Sequence, residues 1–340
     1  MKAAVLSAIG QPLEIRDVPR PEIAADEVLI ESRTCGICRT DIHIQDGLAY
    51  VPSLPHVPGH EPAGVVVAVG ERVAEIQIGQ RVVPHLFLTC GTCVSCRSGR
   101  DAQCLHVGGI IGVTTWGGFA QYFKAPARNL LQLPDGVPFD IGGLTSCAVI
   151  TAVHAYRRAR IQVGDPVAVL GTGGIGQLLI QILKQAGARV VGLSRSPGSL
   201  QLAQQCGADL GLISSQQETS QRVREFSGGM GVTCVFECVG NARSMQLAAE
   251  CTTGGGQIIV IGEEPDFPAI NTIEIAQREL EIIGSRNGSK QDAADALSWM
   301  AQGIVKPPIV KRVSLSQINE GMLAVREGTA HGRVVVTIAD

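Results

Sequence analysis

Three groups of residues in this chain have types and spacings that could do chemistry. Cys90, Cys93, Cys96 and Cys104 form a C-x2-C-x2-C-x7-C pattern in a stretch rich in Gly and small polar residues. Two-residue spacings let consecutive thiolates converge on one ion, and four sulfurs complete a tetrahedral zinc shell with no open position, so this pattern predicts a closed, structural metal site. An iron–sulfur cluster is compatible with the same spacing. Four unrelated loop thiols are the bland account, disfavoured because clustered exposed thiols without a metal oxidise. The second group is Cys38, on the loop 36–43, and His60, within Pro58-Gly59-His60-Glu61. With Cys147 they would make a Cys2His set that leaves a fourth position for water or substrate, the way a catalytic zinc is built. The three lie far apart in sequence, and spacing alone leaves their convergence open.

The third group is a glycine turn. Val167-Ala168-Val169-Leu170 is followed by Gly171-Thr172-Gly173-Gly174-Ile175-Gly176 and an apolar helical pattern over 177–184. A G-x-G-x-x-G between a strand and a helix is a dinucleotide fingerprint: Gly171 permits the tight turn, Gly173 lets the backbone approach the pyrophosphate, Gly176 allows close helix packing, and the helix N-terminus faces the phosphates. A site for NAD normally carries Asp or Glu about 20 residues after the first glycine, to accept the ribose hydroxyls. Here the second strand ends in Ser194-Arg195-Ser196. With no carboxylate there, Arg195 is placed for a charge-assisted pair with a 2′-phosphate and Ser194 and Ser196 for hydrogen bonds, which predicts NADP(H) over NAD(H).

The elements that must position these groups fall into two styles. The first 150 residues read as short β segments (3–6, 28–33, 64–69, 81–83 and 119–123) separated by Gly, Pro and Asp. From Pro166 apolar runs (167–170, 189–193, 209–213, 234–237, 257–261 and 280–283) alternate with helix-length segments such as 175–185, which describes an α/β, doubly wound parallel sheet. After Ser285 a helix over 292–302 precedes a β-rich tail (310–313 and 333–338) that resembles the first half. The expected organisation is therefore a catalytic domain at 1–146 with a metal loop at 88–106, a dinucleotide domain at 147–285, and a return to the first domain over 286–340. Across 340 residues the composition is 45% hydrophobic and 17% charged with net charge −3. Such a chain folds around packed cores and offers no basic surface for nucleic acid. No uninterrupted apolar run reaches the length of a membrane span, and no secretory signal precedes Gly10, so a cytoplasmic protein without a membrane partner is expected. Eleven cysteines in that compartment argue for metal ligation over disulfides.

Taken together, Cys38-x-Thr40-Asp41-x-His43, Gly59-His60-Glu61, the cysteine quartet and the glycine turn, in this order and spacing over essentially the whole chain, closely resemble the zinc-containing alcohol dehydrogenases of the medium-chain dehydrogenase/reductase superfamily. The resemblance implies a mostly β, GroES-like catalytic domain built from the N-terminal half and the C-terminal tail, beside a Rossmann domain. It implies two zinc ions per chain, with Cys38, His60 and Cys147 as the catalytic ligands. Cys147 stands where related polyol dehydrogenases usually place Glu, which favours simple alcohols, aldehydes and ketones over polyols. Asp41 resembles the carboxylate that orients the ligand His, and Glu61 the acid behind the zinc. The family mechanism is reversible hydride transfer between an alcohol and the nicotinamide, with a proton relayed from Thr40 through the nicotinamide ribose to His43. Arg39 and Arg333 resemble residues that reach the pyrophosphate, and Ile175 one packed behind the nicotinamide ring. His85 lies where many members carry a bulky aromatic, and with Trp116 and His56 it is a candidate for the substrate pocket, with surface or packing roles as the alternative. Members of this length are commonly homotetramers. Competing functions are an NAD-dependent polyol or other secondary-alcohol dehydrogenase, a zinc-free reductase of the superfamily, which the full ligand set disfavours, and a non-enzymatic scaffold, which would show damaged motifs. Cys35, Cys206, Cys234, Cys238 and Cys251 are left as inert thiols.

Overall fold

The structure is a computed structural model that describes residues 1–48, 52–269 and 271–338. The chain divides into two compact units, one of residues 1–150, 288–303 and 309–340 and one of residues 151–287 and 304–308. In chain order the strands are β1 (Lys2–Val5), β2 (Glu14–Asp17), β3 (Glu27–Ile37), β4 (Glu61–Val69), β5 (Arg81–Pro84), β6 (Tyr122–Pro126), β7 (Leu130–Gln132), β8 (Pro166–Leu170), β9 (Arg189–Ser194), β10 (Leu210–Ile213), β11 (Val232–Glu237), β12 (Thr252–Val260), β13 (Glu281–Gly284), β14 (Ile309–Ser314) and β15 (Arg333–Thr337). Among the described residues no helix is long and apolar enough to cross a membrane.

The first unit is organised around β3. Its sheet runs β14-β15-β3-β4-β5-β7, with β6 also pairing β3, while β1 and β2 form a separate ribbon. The first half of β3, Glu27 to Glu31, pairs with β6, and the second half, Thr34 to Ile37, pairs with β15 from the C-terminal tail. One core cluster gathers Leu6, Ile37, Val57, Phe119 and Val334 on one side, and another gathers Val28, Ile30, Phe87 and Phe123. Each such fully buried side chain contributes roughly 1.5–3 kcal/mol, enough for a few of them to hold a loop-rich unit together.

Two local readings from the sequence need correction in this unit. The strand expected at 119–123 begins at Tyr122, because Phe119 instead hydrogen-bonds across to Ala4 and Pro58, joining β1 to the loop before His60. A helix, Arg39–Asp46, occupies a segment whose pattern gave no amphipathic stripe. Its buried face mixes Ile42 and Ile44 with Asp41, His43 and Gln45, so polar residues interrupt the apolar period.

The second unit is an all-parallel sheet in the order β10-β9-β8-β11-β12-β13. Chain order reverses between β8 and β11, the switch point where ligands bind in doubly wound sheets. β8 and β9 are nearly continuous apolar runs because both sheet faces are covered, and the helix Gly174–Gln185 supplies one cover through Leu178, Leu179, Ile182 and Leu183.

Candidate active site and metal centres

The quartet assembles within its own loop. Sγ–Sγ separations are 3.9 Å for Cys90–Cys96, 3.5 Å for Cys93–Cys96, 3.9 Å for Cys93–Cys104 and 3.6 Å for Cys90–Cys104. A zinc ion with bonds of about 2.3 Å in a tetrahedron needs sulfurs about 3.8 Å apart, so the four thiols already outline that shell. Backbone N–H groups of Thr92 and Cys93 donate to Cys90 Sγ, and with the Thr92 hydroxyl they pull the Cys90 thiol down to about 5. Asp101, in the same loop, is buried and accepts from Lys290 N at 3.1 Å, the first residue of the helix Lys290–Ala301.

Cys38, His60 and Cys147 converge, and Glu61 joins them: one donor atom from each lies within 4.8 Å of all the others, a group that could hold a metal ion. Local structure explains how each arrives. β3 ends at Ile37, and Cys38 caps the helix Arg39–Asp46. Asp41, three residues on, folds its carboxylate back onto Cys38 N at 2.9 Å and also takes His60 Nδ1 at 3.1 Å. One buried carboxylate therefore orients two of the donors and leaves His60 Nε2, buried and without a hydrogen-bond partner, for a metal. Glu61 starts β4, and His60 immediately precedes it. Gly59 has φ of +96°, and a Cβ there would meet Phe119, so only glycine makes the approach. Register then puts Glu61 opposite Gly36, where a Cβ would come within 2.0 Å of Glu61 Oε2. Cys147 precedes the helix Ala148–Arg158, whose Ala148 N donates to Glu61 Oε1 at 3.2 Å.

Charge in this group is tightly balanced. Hydrogen bonding with Cys147 holds the Cys38 thiol well below its usual range, while Cys147 itself is held well above it by that contact and by burial. Burial opposes charge on His60, but Asp41 and Cys38 outweigh it and raise its pKa. Burial raises Glu61 to about 7, against the pull of Arg333. A cation is what would let both thiolates and the carboxylate coexist, and sulfur and nitrogen donors suit zinc.

The remaining predicted residues fall as follows. Thr40 Oγ1 lies 3.9 Å from Cys38 Sγ, and His43 is buried on the same helix. Arg39 is exposed and donates to Arg326 O at 3.1 Å. Arg333, the other residue expected at a pyrophosphate, is placed by β15. β15 pairs with β3 beside Gly36, so Arg333 is buried against the four-donor group and pairs with Glu61. His85 is buried completely, with Nδ1 3.1 Å from Phe87 O and Nε2 3.0 Å from Gly288 O, so both ring nitrogens face backbone carbonyls and no polar tip is left for a substrate. His56 is likewise inside rather than at a rim, with Nε2 3.2 Å from Gly112 O, and burial lowers its pKa. Trp116 is exposed. Neither the space that Gly36 leaves for Glu61 nor the link from Asp101 to Lys290 was visible in the sequence; only the glycine hinted at the first.

In the second unit the glycines behave as their spacing implies. Gly171 has φ of +96°, and a Cβ on Gly176 would sit 2.2 Å from Gly171 O, so the helix packs against the turn only because both are glycine. A Cβ on Gly173 would meet nothing within 4 Å, an open cradle at the N-cap of the helix Gly174–Gln185. Ile175 is half-buried in the first turn of that helix. Ser194 ends β9 and its Oγ accepts from Ser196 N at 3.2 Å, Ser196 caps the helix Pro197–Gln205, and Arg195 is exposed between them, with no ion pair among the described residues.

Residues 24–135 match the alcohol dehydrogenase GroES-like domain, and residues 174–302 match the zinc-binding dehydrogenase family. An alcohol dehydrogenase of Geobacillus stearothermophilus is 34% identical over 340 residues, covering 99% of this chain and 100% of that protein. A D-arabinose 1-dehydrogenase (NADP(+)) of Saccharolobus solfataricus is 32% identical, covering 99% of this chain and 97% of that one. Among solved structures, an NAD-dependent alcohol dehydrogenase superposes with TM-score 0.93 at 29% identity over 100% of both chains. The chain belongs to the zinc-type alcohol dehydrogenases of the medium-chain dehydrogenase/reductase superfamily, and it is an oxidoreductase enzyme of that kind.

Proposed function

We propose that the chain transfers hydride reversibly between a small alcohol and NADP(H), acting as a zinc-dependent alcohol dehydrogenase or aldehyde or ketone reductase. The observation that carries this reading is the convergence of Cys38, His60, Cys147 and Glu61 from distant parts of the chain into one donor group. Cys38, His60 and Cys147 would hold a zinc, and Glu61 stands within reach as an exchangeable fourth donor. Such an ion would supply Lewis acidity toward the substrate oxygen. A second zinc would fill the quartet.

The chain's own groups do the rest. Asp41 fixes the orientation of His60. Thr40, beside Cys38, would receive the alcohol proton, and His43, three residues on along the same helix, would accept it, with the cofactor's ribose hydroxyl between them. The open cradle at Gly173 and the helix N-terminus behind it would take the pyrophosphate. For the cofactor's identity, the exposed Arg195 between Ser194 and Ser196 supports NADP(H), since no carboxylate stands there to repel a 2′-phosphate. A homotetramer in the cytoplasm completes the reading.

A depletion assay of NADPH and of NADH over aldehydes and ketones of varied size tests it, together with metal analysis. The expected result is turnover of carbonyl substrates with NADPH preferred and two zinc ions per chain. A clear preference for NADH would overturn the cofactor assignment, and turnover in a chain carrying no metal would overturn the rest. Ser194→Asp should move preference toward NAD(H) by at least about tenfold, one strong charge–phosphate contact.

A further inference from the structure

The sequence makes His85 a candidate for the substrate pocket, yet its ring sits between two stretches of main chain. Nδ1 faces Phe87 O, a carbonyl that also accepts from Asn129 Nδ2 at 2.8 Å, and Nε2 faces Gly288 O. His85 belongs to the loop after β5, so a single ring N–H donated from Nε2 to Gly288 O bridges that loop to the start of the helix Lys290–Ala301.

Both ends of that bridge lead to metal ligands. Toward the quartet, Gly288 lies two residues before Lys290, whose N–H is held by Asp101 from the cysteine loop. Toward the four-donor group, Pro84, next to His85, accepts the Ser146 hydroxyl at 2.8 Å, and Ser146 is the neighbour of Cys147. Gly288 also packs directly on the helix that follows Cys147: a Cβ there would come within 2.8 Å of Ile150 Cγ1. Every member of this circuit belongs to the first unit. The dense packing of protein interiors passes a displacement at one end on to the other instead of absorbing it.

We infer that His85 is a positioning residue for the Cys38/His60/Cys147 group, tying it through Gly288 and Asp101 to the cysteine quartet, so that the closed site holds the open one in shape. The inference rests on the reading of the four-donor group as a metal site. Loss of the His85 bridge frees Gly288 and Pro84 to shift, and Cys147 shifts with Ser146. Groups bonded directly to a ligand typically change metal affinity about 10–100-fold, and His85, which acts through Pro84 and Ser146, is expected to change it less, by several-fold.

The test is cobalt(II) substitution of the full chain, reading the thiolate-to-metal absorption and ligand-field bands of the Cys2His group and its affinity by competition with a chelator. His85→Leu should keep the quartet metal and a native circular dichroism spectrum, weaken cobalt at the Cys2His group by roughly several-fold, and shift its bands. Ser146→Ala should weaken the same site, and the double variant should fall short of the sum, because both substitutions cut one path. His85→Gln, which keeps an amide donor toward Gly288 O, should recover most of the affinity, and full loss in a folded His85→Gln chain counts against the circuit; if His85→Leu does not fold, Ser146→Ala carries the test, and unchanged cobalt affinity and bands there overturn the inference. A folded His85→Leu protein with unchanged cobalt affinity and bands overturns the inference while leaving the metal site intact. A wild-type chain that takes no cobalt at Cys38, His60 and Cys147 overturns the metal reading and this inference with it.

Discussion

The two donor clusters of the first unit are built in opposite ways. Cys90, Cys93, Cys96 and Cys104 come from one loop and need only that loop's turns to bring their sulfurs 3.5–3.9 Å apart. Cys38, His60, Glu61 and Cys147 come from three places between residues 38 and 147, and each depends on something distant: the end of β3, a glycine that lets β4 begin against Phe119, and a helix whose first N–H is bonded to Glu61. A site assembled locally can be closed and inert. One assembled from separate elements inherits their geometry, so it can be tuned, and it can be disturbed from far away.

The strongest way to break the contrast is to remove one donor from each cluster. Cys38→Ser should leave a folded chain with one metal and lower kcat/KM by at least about a thousandfold, as loss of Lewis-acid chemistry does. Cys93→Ser should instead show first as a lower Tm and faster thermal inactivation, since a closed metal site contributes directly to folding. Metal counts with melting and kinetics check both; equal kinetic losses with equal melting points would erase the distinction.

A smaller effect is expected from Gly36→Ala. Its Cβ would overlap the Glu61 carboxylate and Leu144, so Glu61 must leave the group. Metal affinity at the open group should fall about 10–100-fold, with the quartet untouched, when measured by chelator competition.

Thiol labelling after chelation sharpens the comparison further. At pH 7 the Cys90 thiol, held at about 5 by its hydrogen bonds from Thr92, is largely thiolate and should react first. Burial raises Cys251 to about 12 and pushes Cys35, Cys206, Cys234 and Cys238 up as well, so these should label last, with mass spectrometry giving the order.

The smallest effect concerns the clamp on the helix Arg39–Asp46. Arg326 pairs with Asp46 through two nitrogens, at 2.6 and 2.8 Å, and holds the Asp46 carboxyl below its usual value. A depressed folded-state pKa means that the pair's stabilisation is present above the unfolded value, near pH 4, and is lost as pH falls through the folded value. With both groups partly in water, Arg326→Gln should cost at most about 1 kcal/mol at pH 7 and almost nothing at pH 2, measured by denaturant titration.

What could be read before folding follows the same division. The quartet, the glycine turn and the parallel β/α alternation are local patterns, and residue spacing carries local geometry. Expected strand positions in the second unit fell close to the observed ones because buried parallel strands are plain apolar runs. The helix Arg39–Asp46 escaped because its buried face carries Asp41 and His43, polar residues that interrupt the periodic signal. Resemblance to a family placed Cys38, His60 and Cys147 in one set; spacing did not.

The amino-acid sequence by itself determined the donor types, the closed quartet and a turn that only glycines can make, because these depend on residues within a few positions of one another. Tertiary structure alone decided that Arg333 pairs with Glu61 beside the donors and that His85 holds main chain instead of meeting a substrate. Those outcomes hang on the register of β3 against β4 and β15 and on how the helix Lys290–Ala301 returns to the first unit. Register is a property of paired strands, and no single stretch of sequence contains it.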